Sequence, residues 1–221
     1  RQTDLAGNVS TTSVFTFTLD TTVAAPRALL TADTGVSAVD RITSDSRLTI
    51  TGQETGSRIE YSTNGTSGWT SAYAPSQGVN TFYVRQTDVA GNVSAASTAL
   101  TFTLDSIGPA IQTVTWPTSG TYGVGSTLTI RVKYSEAVRL GGTGTPSIAL
   151  TFGSVVRQAT YVSGDGTDTL VFSYKIVAGD AASAGVVFGG TISLGGRTLR
   201  DTAGNNAGLT LPLTGRSTVI V

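Results

Sequence analysis

The amino-acid sequence predicts an all-β protein made of tandem β-sandwich modules in a linear array, and three observations support this fold class. Thr and Ser number 39 and 23 of the 221 residues and are accompanied by 27 glycines. This composition is typical of short strands joined by many turns. Short apolar–polar alternations recur along the chain, and no stretch has a convincing helical period. A ten-residue segment also occurs twice, which indicates a tandem array.

The repeat defines the predicted module boundaries. Residues 1–10 read RQTDLAGNVS and residues 85–94 read RQTDVAGNVS, with one substitution. A looser third copy, DTAGN, occupies residues 201–205. Each of the first two copies leads into an alternating segment closed by Asp20 or Asp105. We therefore expect a C-terminal strand remnant of a preceding repeat at 1–20, a complete module at 21–105 and a longer second module at 106–221.

Alternating segments bounded by turn residues predict the strands of each module. In the first module they lie at 27–31, 47–51 (with Leu48 and Ile50 facing inward), 58–62, 81–87 and 99–104, and a hairpin turn is expected at 63–65. In the second module they lie at 127–134, 147–152, 157–162, 169–176, 191–194 and 209–213. About seven short strands at this spacing favour an immunoglobulin-like (Ig-like) β-sandwich in each module.

The residues that are absent exclude several classes of function. The sequence has no His and no Cys, so it cannot form a Ser-His-Asp triad, a thiol nucleophile or an ordinary structural zinc site. The net charge is zero, which argues against nucleic-acid binding, and no apolar run is long enough for a membrane helix. Paired carboxylates leave glycosidase chemistry as the remaining enzymatic alternative, with Glu54, Glu60 and Glu136 as the available glutamates. We predict that the chain is not an enzyme.

Loop carboxylates predict two equivalent calcium sites, because Ca²⁺ takes six to eight oxygen ligands. In an Ig-like sandwich the start of the first strand, the loop after the second strand and the loop before the last strand share one end. The predicted set in the first module is Asp20, Glu54, Asp88 and Asn92. The set in the second module is Asp105, Glu136, Asp201 and Asn205, with Glu136 expected just past a strand. Three converging carboxylates would repel one another without a cation.

The loop after the first strand lies at the opposite end of its module and faces the next one. Asp33 and Asp40 are predicted as further contributors to the second site, and Asp45 as a weaker one. The alternative for the D-x-A-G-N segments is a metal-free Asx turn, in which Gly and Asn take the positive-φ positions. Asp165 and Asp168 are interpreted as hairpin-turn residues.

Several segments together resemble one known family: RQTDVAGNVS, the linker after Asp20, the loop D-T-G-x4-D-x-I-T-x-D at 33–45 and YSTNGTSGW at 61–69. They are similar to the bacterial Ig-like tandem repeats of giant, type I-secreted (RTX-type) Gram-negative surface adhesins. The resemblance implies an extracellular extender role in adhesion and biofilm formation. It also implies that calcium stiffens the module junctions and that the partners are neighbouring modules of the same chain.

Two further interpretations remain open. The chain could be a glycan- or protein-binding Ig-like module that acts through its loops, although Trp69 and Trp116 are expected to pack in the core or at junctions. A Lys–Asn isopeptide staple could use only Lys133 or Lys175 and is disfavoured. Residues 1–19 are expected to be a last strand without its partner strand.

Overall fold

The computed structural model describes residues 1–212 and 214–221, and all of their regular structure is β-strand. This confirms the all-β prediction. The first six strands are β1 (Arg27–Leu30), β2 (Ile42–Thr43), β3 (Leu48–Thr51), β4 (Arg58–Ser62), β5 (Gly78–Thr87) and β6 (Leu100–Leu104). The other nine are β7 (Ile111–Thr115), β8 (Gly120–Thr121), β9 (Thr127–Gly141), β10 (Ser147–Phe152), β11 (Val155–Ser163), β12 (Thr167–Lys175), β13 (Val187–Ser193), β14 (Thr198–Arg200) and β15 (Val219–Ile220).

The alternating segments identified most strands correctly and missed the shortest ones. β4 and β10 have the predicted bounds, whereas β5 and β9 extend beyond them. No strand forms at 209–212, where Thr210 makes only an isolated bridge to Thr191, and Leu213 lies outside the described residues. The strands β2, β8, β14 and β15 were not predicted, because two or three residues carry too little pattern for period analysis. The strand β7 was missed because an irregularity between Ile111 and Thr113 interrupts its alternation.

The chain divides into two compact units. The first contains Arg1–Leu29, Ile50–Tyr73 and Phe82–Leu100, and the second contains Leu30–Thr49, Ala74–Thr81 and Thr101–Val221. The segment Leu30–Thr49 of the first predicted module therefore belongs to the same unit as the whole second module. The module boundaries after residues 20 and 105 stay predictions.

The first unit is organised by the antiparallel β4–β5 ladder, which runs from Arg58 opposite Thr87 to Ser62 opposite Tyr83. β5 alternates buried and half-buried side chains, with Phe82 and Val84 inside. Because the last ladder pair is Arg58 with Thr87, the residues just before β4 and just after β5 emerge at the same end. This end carries the Glu54 loop and Asp88.

The second unit contains a seven-stranded sheet in the order β13-β10-β11-β12-β9-β14, with β7 also paired to β9. Alternation along β9 and β12 buries most of one face, and the aromatic side chains of Tyr134, Phe152, Phe172 and Phe188 lie in this core. β14 pairs with the end of β9 through Leu199–Leu140 and Arg200–Arg139. That register brings residue 201, which follows β14, towards residues 136–138 of β9.

Residues 1–19 form no strand other than the single bridge between Thr3 and Val9. The alternating side chains Phe15, Phe17 and Leu19 are 85%, 71% and 76% exposed, whereas their counterparts in β6, Phe102 and Leu104, are buried. The same pattern therefore forms a strand at β6 and none at 14–19.

Candidate metal centres

The D-x-A-G-N turn has one geometry at all three of its positions. The Asp Oδ1 accepts the backbone N–H of the Asn four residues on, at 2.8 Å for Asp4–Asn8, 2.8 Å for Asp88–Asn92 and 2.9 Å for Asp201–Asn205. The Asn Nδ2 donates to the second carboxylate oxygen at 2.9, 2.8 and 2.8 Å. The Asp N–H donates to the Asn carbonyl in each copy. The carboxylate therefore organises its own turn.

Glycine is required at the fourth position of this turn because the backbone there is left-handed. The φ angles are 88° at Gly7, 95° at Gly91 and 96° at Gly204, a region that other L-residues rarely adopt. The predicted Asx alternative is therefore correct for the Gly but not for the Asn, since Arg41 is the only non-glycine with a positive φ among the described residues. The Asp4 copy forms the turn outside both carboxylate groups.

In the first unit, Asp20, Glu54 and Asp88 each place a carboxylate oxygen within 4.8 Å of the others. The buried Gln86 holds the Glu54 loop: its Oε1 accepts Glu54 N–H at 2.9 Å, and its Nε2 donates to the Ala24 carbonyl at 2.8 Å. Gln86 thus joins the loop to the linker after Asp20. Sequence reasoning missed it, although a Gln two residues before the turn also occurs in the first copy, at position 2.

In the second unit, Asp105, Glu136 and Asp201 form the equivalent group, again with oxygens within 4.8 Å. Glu136 lies inside β9 and not just past a strand as predicted, because β9 continues without interruption to Gly141. The Asn205 Nδ2 donates to the Asp105 carbonyl at 2.8 Å, and Asn92 makes the same bond to the Asp20 carbonyl at 3.1 Å. Both asparagines therefore tie a linker to a turn.

The electrostatics differ between the two groups. Burial, and then the negative charges of Asp105 and Asp201, raise the pKa of Glu136. For Asp88, burial acts to raise the pKa, but the hydrogen bonds from the Asn92 side chain and from the backbone of Asn92, Gly91 and Ala90 outweigh it and lower the pKa. Asp88 is thus held ionised by its own turn, whereas Glu136 is ionised at a cost in free energy.

The donor set of both groups consists of oxygen alone, which fits a hard cation such as Ca²⁺ better than zinc or copper. The six predicted carboxylates supply it. Asn92 and Asn205 are placed differently from the prediction, since their amide nitrogens face the carboxylates and act as donors. They position the carboxylates through these contacts.

Asp33, Asp40 and Asp45 do not join the second group. The Asp33 Oδ2 accepts Arg41 N–H at 2.8 Å, and the Asp40 Oδ1 accepts Ile42 N–H at 3.0 Å. Asp45 forms a two-oxygen ion pair with Arg47. These carboxylates organise the loop that carries them.

The two hairpin aspartates and the two tryptophans make structural contacts. Asp165 accepts Leu140 N–H at 2.7 Å, and Asp168 lies 3.7 Å from the Lys133 ammonium. Trp116 is buried against Phe188, and the guanidinium of Arg85 stacks over Trp69 at 4.5 Å.

The residues considered for glycosidase chemistry and for an isopeptide staple are paired or exposed. The Glu60 carboxylate is paired with Arg58 and Arg85, which occupy both of its oxygens. Lys133 and Lys175 are exposed, which removes the buried setting that an isopeptide staple needs. In the described residues no helix is long and apolar enough to cross a membrane.

Comparison with known proteins finds a family match for part of the chain. Residues 22–106 match the model of the bacterial Ig-like domain family, and no curated protein matches the chain. A solved structure, the "D00-D0 domain of Intimin", aligns over 84% of this chain and 98% of its own, at 14% identity and with a TM-score of 0.24. Domains of the matched family are generally non-catalytic and typically extracellular or surface-exposed. The all-β strand content and this match together give the chain an Ig-like fold, and residues 22–106 match the bacterial Ig-like domain.

Proposed function

We propose that this chain is a non-catalytic extender segment of a large, repetitive, type I-secreted bacterial surface adhesin that supports cell adhesion and biofilm formation. Two calcium ions stiffen its module junctions, one held by Asp20, Glu54 and Asp88 and the other by Asp105, Glu136 and Asp201. Its partners are neighbouring Ig-like modules of the same parent chain. Any glycan or surface ligand is bound by other parts of that parent.

The observation that carries the proposal is the recurrence of one carboxylate arrangement in two units of different sequence. In each case a linker Asp, a Glu and the Asp of a D-x-A-G-N turn converge. The turn alone does not explain the convergence, because the turn at Asp4 forms without the other two carboxylates. Burial, and then the charges of Asp105 and Asp201, raise the pKa of Glu136, so a cation bound between the three carboxylates would stabilise its ionised form.

Calcium would act here by joining segments that are distant in sequence. Asp105 closes the first predicted module, whereas Glu136 and Asp201 belong to the second. A cation shared among them resists separation of the linker from β9 and from the 201–205 turn. Binding to the native state alone adds stability by mass action, about 2.7 kcal/mol at a free concentration 100 times the Kd.

Calcium titration by calorimetry, with thermal melting in chelator and in millimolar calcium, tests the proposal. We expect binding in the range of roughly 10⁻⁴ to 10⁻³ M, typical of extracellular calcium modules, and a higher melting temperature. Asp105→Ala, Glu136→Ala and Asp201→Ala should each remove the effect at the second site and should be non-additive with one another.

Asp165→Ala is the matched control, since Asp165 accepts a backbone hydrogen bond in a hairpin and lies outside both groups. It should leave calcium binding unchanged. An unchanged melting temperature and hydrodynamic radius between chelator and millimolar calcium would refute the calcium sites.

A further inference from the structure

The loop Asp33–Val36 covers the outer face of the 201–205 turn within the second unit. The Thr34 hydroxyl donates to the Ala203 carbonyl at 2.6 Å, and the Val36 N–H donates to the Thr202 carbonyl at 3.0 Å. Ala203 is fully buried. The backbone of the turn is therefore contacted directly by a loop that the repeat analysis assigns to the preceding module.

Two glycines face each other at this contact. A Cβ on Gly35 would overlap the Thr202 carbonyl oxygen and the Ala203 backbone, and a Cβ on Gly204 would lie 3.1 Å from the Gly35 Cα. Both glycines also have φ of +96°. Only a glycine pair allows the two backbones to approach this closely.

The turn at 88–92 has the same three hydrogen bonds between its Asp and its Asn and the same glycine conformation, but its outer face is open. Val89 is 80% exposed, Ala90 and Gly91 are exposed, and a Cβ on Gly91 would have no atom within 4 Å. Ala90 and Ala203 thus occupy equivalent positions in one turn, the first exposed and the second fully covered. The two acceptor carbonyls that the loop uses at Thr202 and Ala203 correspond to those of Val89 and Ala90.

We propose that the open face at Val89–Gly91 is a docking surface, and that its occupant is the Asp33–Val36 loop of another copy of the repeat at residues 21–105. The occupant is identified by the loop already seated on the equivalent turn. Recognition uses two backbone carbonyls and a glycine contact, so it does not depend on the side chain that differs between Val89 and Thr202. The contact also requires no metal, so it is separable from calcium binding.

The first experiment tests the covered turn in the full chain, which has no natural cysteine. Ala90→Cys and Ala203→Cys are made singly, and the rate of thiol labelling of each variant is measured in chelator. We expect the Ala203→Cys variant to label at least about tenfold more slowly than the Ala90→Cys variant, since labelling at position 203 requires local opening. Exchange of the Val36 amide, measured on the unsubstituted chain, should be protected to a similar degree.

Gly35→Ala should accelerate both the thiol labelling of the Ala203→Cys variant and the exchange of the Val36 amide. Gly78→Ala is the matched control, because Gly78 has a φ of 92° but no atom within 4 Å of an added Cβ. Equal labelling rates for Ala90→Cys and Ala203→Cys, together with an unprotected Val36 amide, would overturn the docking contact.

The second experiment tests the open turn. An Ala90→Cys chain extended at its N-terminus by a second copy of residues 21–84 places a complete repeat before residues 1–221, and its folding is verified by an additional melting transition. Thiol labelling at position 90 of the original copy should fall about tenfold relative to the unextended Ala90→Cys chain. Gly35→Ala in the added copy alone should restore the fast rate. An unchanged labelling rate, or slow labelling that this glycine substitution does not relieve, would overturn the proposal.

Discussion

The two carboxylate groups each consist of two Asp and one Glu but differ in what holds them. In the first unit Asp20 is exposed, Glu54 lies on a loop and Gln86 fixes that loop. In the second unit Asp105 is half-buried, Glu136 lies on the continuous strand β9 and Asp201 is almost completely buried. The first group is therefore assembled mainly by side-chain hydrogen bonds, and the second by the sheet itself. The second should be the more rigid site and should carry the larger electrostatic cost when metal-free.

The largest expected effect concerns the Asp of the turn. Asp201→Ala removes the acceptor for Gly204 N–H, Asn205 N–H and the Asn205 side chain in a buried turn. We expect it to cost about 2–3 kcal/mol in chelator, because unsatisfied buried donors cost roughly 1–3 kcal/mol. Chemical unfolding monitored in chelator measures this cost.

The same substitution at the exposed copy, Asp4→Ala, is the control. Water replaces the lost acceptor there, so the free energy of unfolding should change by less than about 0.5 kcal/mol. Equal costs for Asp201→Ala and Asp4→Ala would show that burial does not distinguish the turns.

Some residues of the two carboxylate groups can be predicted from the sequence, and others cannot. The three-way recurrence of D-x-A-G-N identifies Asp88 and Asp201, because a turn is encoded locally. The position of Glu136 within β9 could not be anticipated, since an acidic residue takes an inward position that is apolar at residues 128–134, although the strand and its alternation continue. Asp33 and Asp40 were assigned to the metal site because of their loop, but short-range backbone hydrogen bonds already engage them. Contacts of this kind depend on local geometry that residue type alone does not specify.

Neutralising the glutamate of each group should have a smaller effect on stability, and the effect should differ between Glu136 and Glu54. Glu136→Gln removes a charge that burial, Asp105 and Asp201 disfavour. In chelator at neutral pH it should therefore raise stability by about 0.5 kcal/mol, the scale of a partly screened charge pair, while it removes calcium stabilisation at that site. Relative to the unsubstituted chain, Glu136→Gln should therefore be more stable in chelator and less stable in calcium.

Glu54→Gln is the matched variant in the first group. It should weaken calcium binding there but should give no comparable gain in chelator, because the Ala24 N–H donates to the Glu54 carboxylate at 3.4 Å. A gain as large as that of Glu136→Gln would contradict the proposed difference between the groups. Melting curves with and without calcium measure both variants.

The pH dependence of metal-free stability should show the two carboxyls acting in opposite directions. Because the folded-state pKa of Glu136 is raised, its contribution is fully present below its unfolded-state value and is lost as the pH rises through its folded-state pKa. Because the folded-state pKa of Asp88 is lowered, its contribution is present above its unfolded-state value and is lost as the pH falls through its folded-state pKa.

Unfolding in chelator from acidic to neutral pH tests this. Relative to Glu136→Gln, the unsubstituted chain should lose stability as the pH rises just above the usual range for a glutamate. In the Asp88→Ala variant, the loss of stability as the pH falls should be smaller than in the unsubstituted chain. Parallel profiles for the unsubstituted chain and Glu136→Gln would contradict the electrostatic assignment.

The smallest effect is expected from removing residues 1–19. This deletion tests whether an alternating segment forms a stable strand without a partner strand. The hydrogen bonds of residues 1–10 are made within residues 1–11, mainly by Asp4 with Asn8 and by Gln2 with Ser10. Phe15 and Phe17 are more than two-thirds exposed, so their removal takes little apolar surface out of the protein interior. Asp20 is retained, which preserves the first carboxylate group. We therefore expect the free energy of unfolding to change by less than about 0.5 kcal/mol, with calcium stabilisation intact. A loss of cooperative unfolding would show that the segment belongs to the fold of residues 21–105 and that the first predicted boundary is wrong.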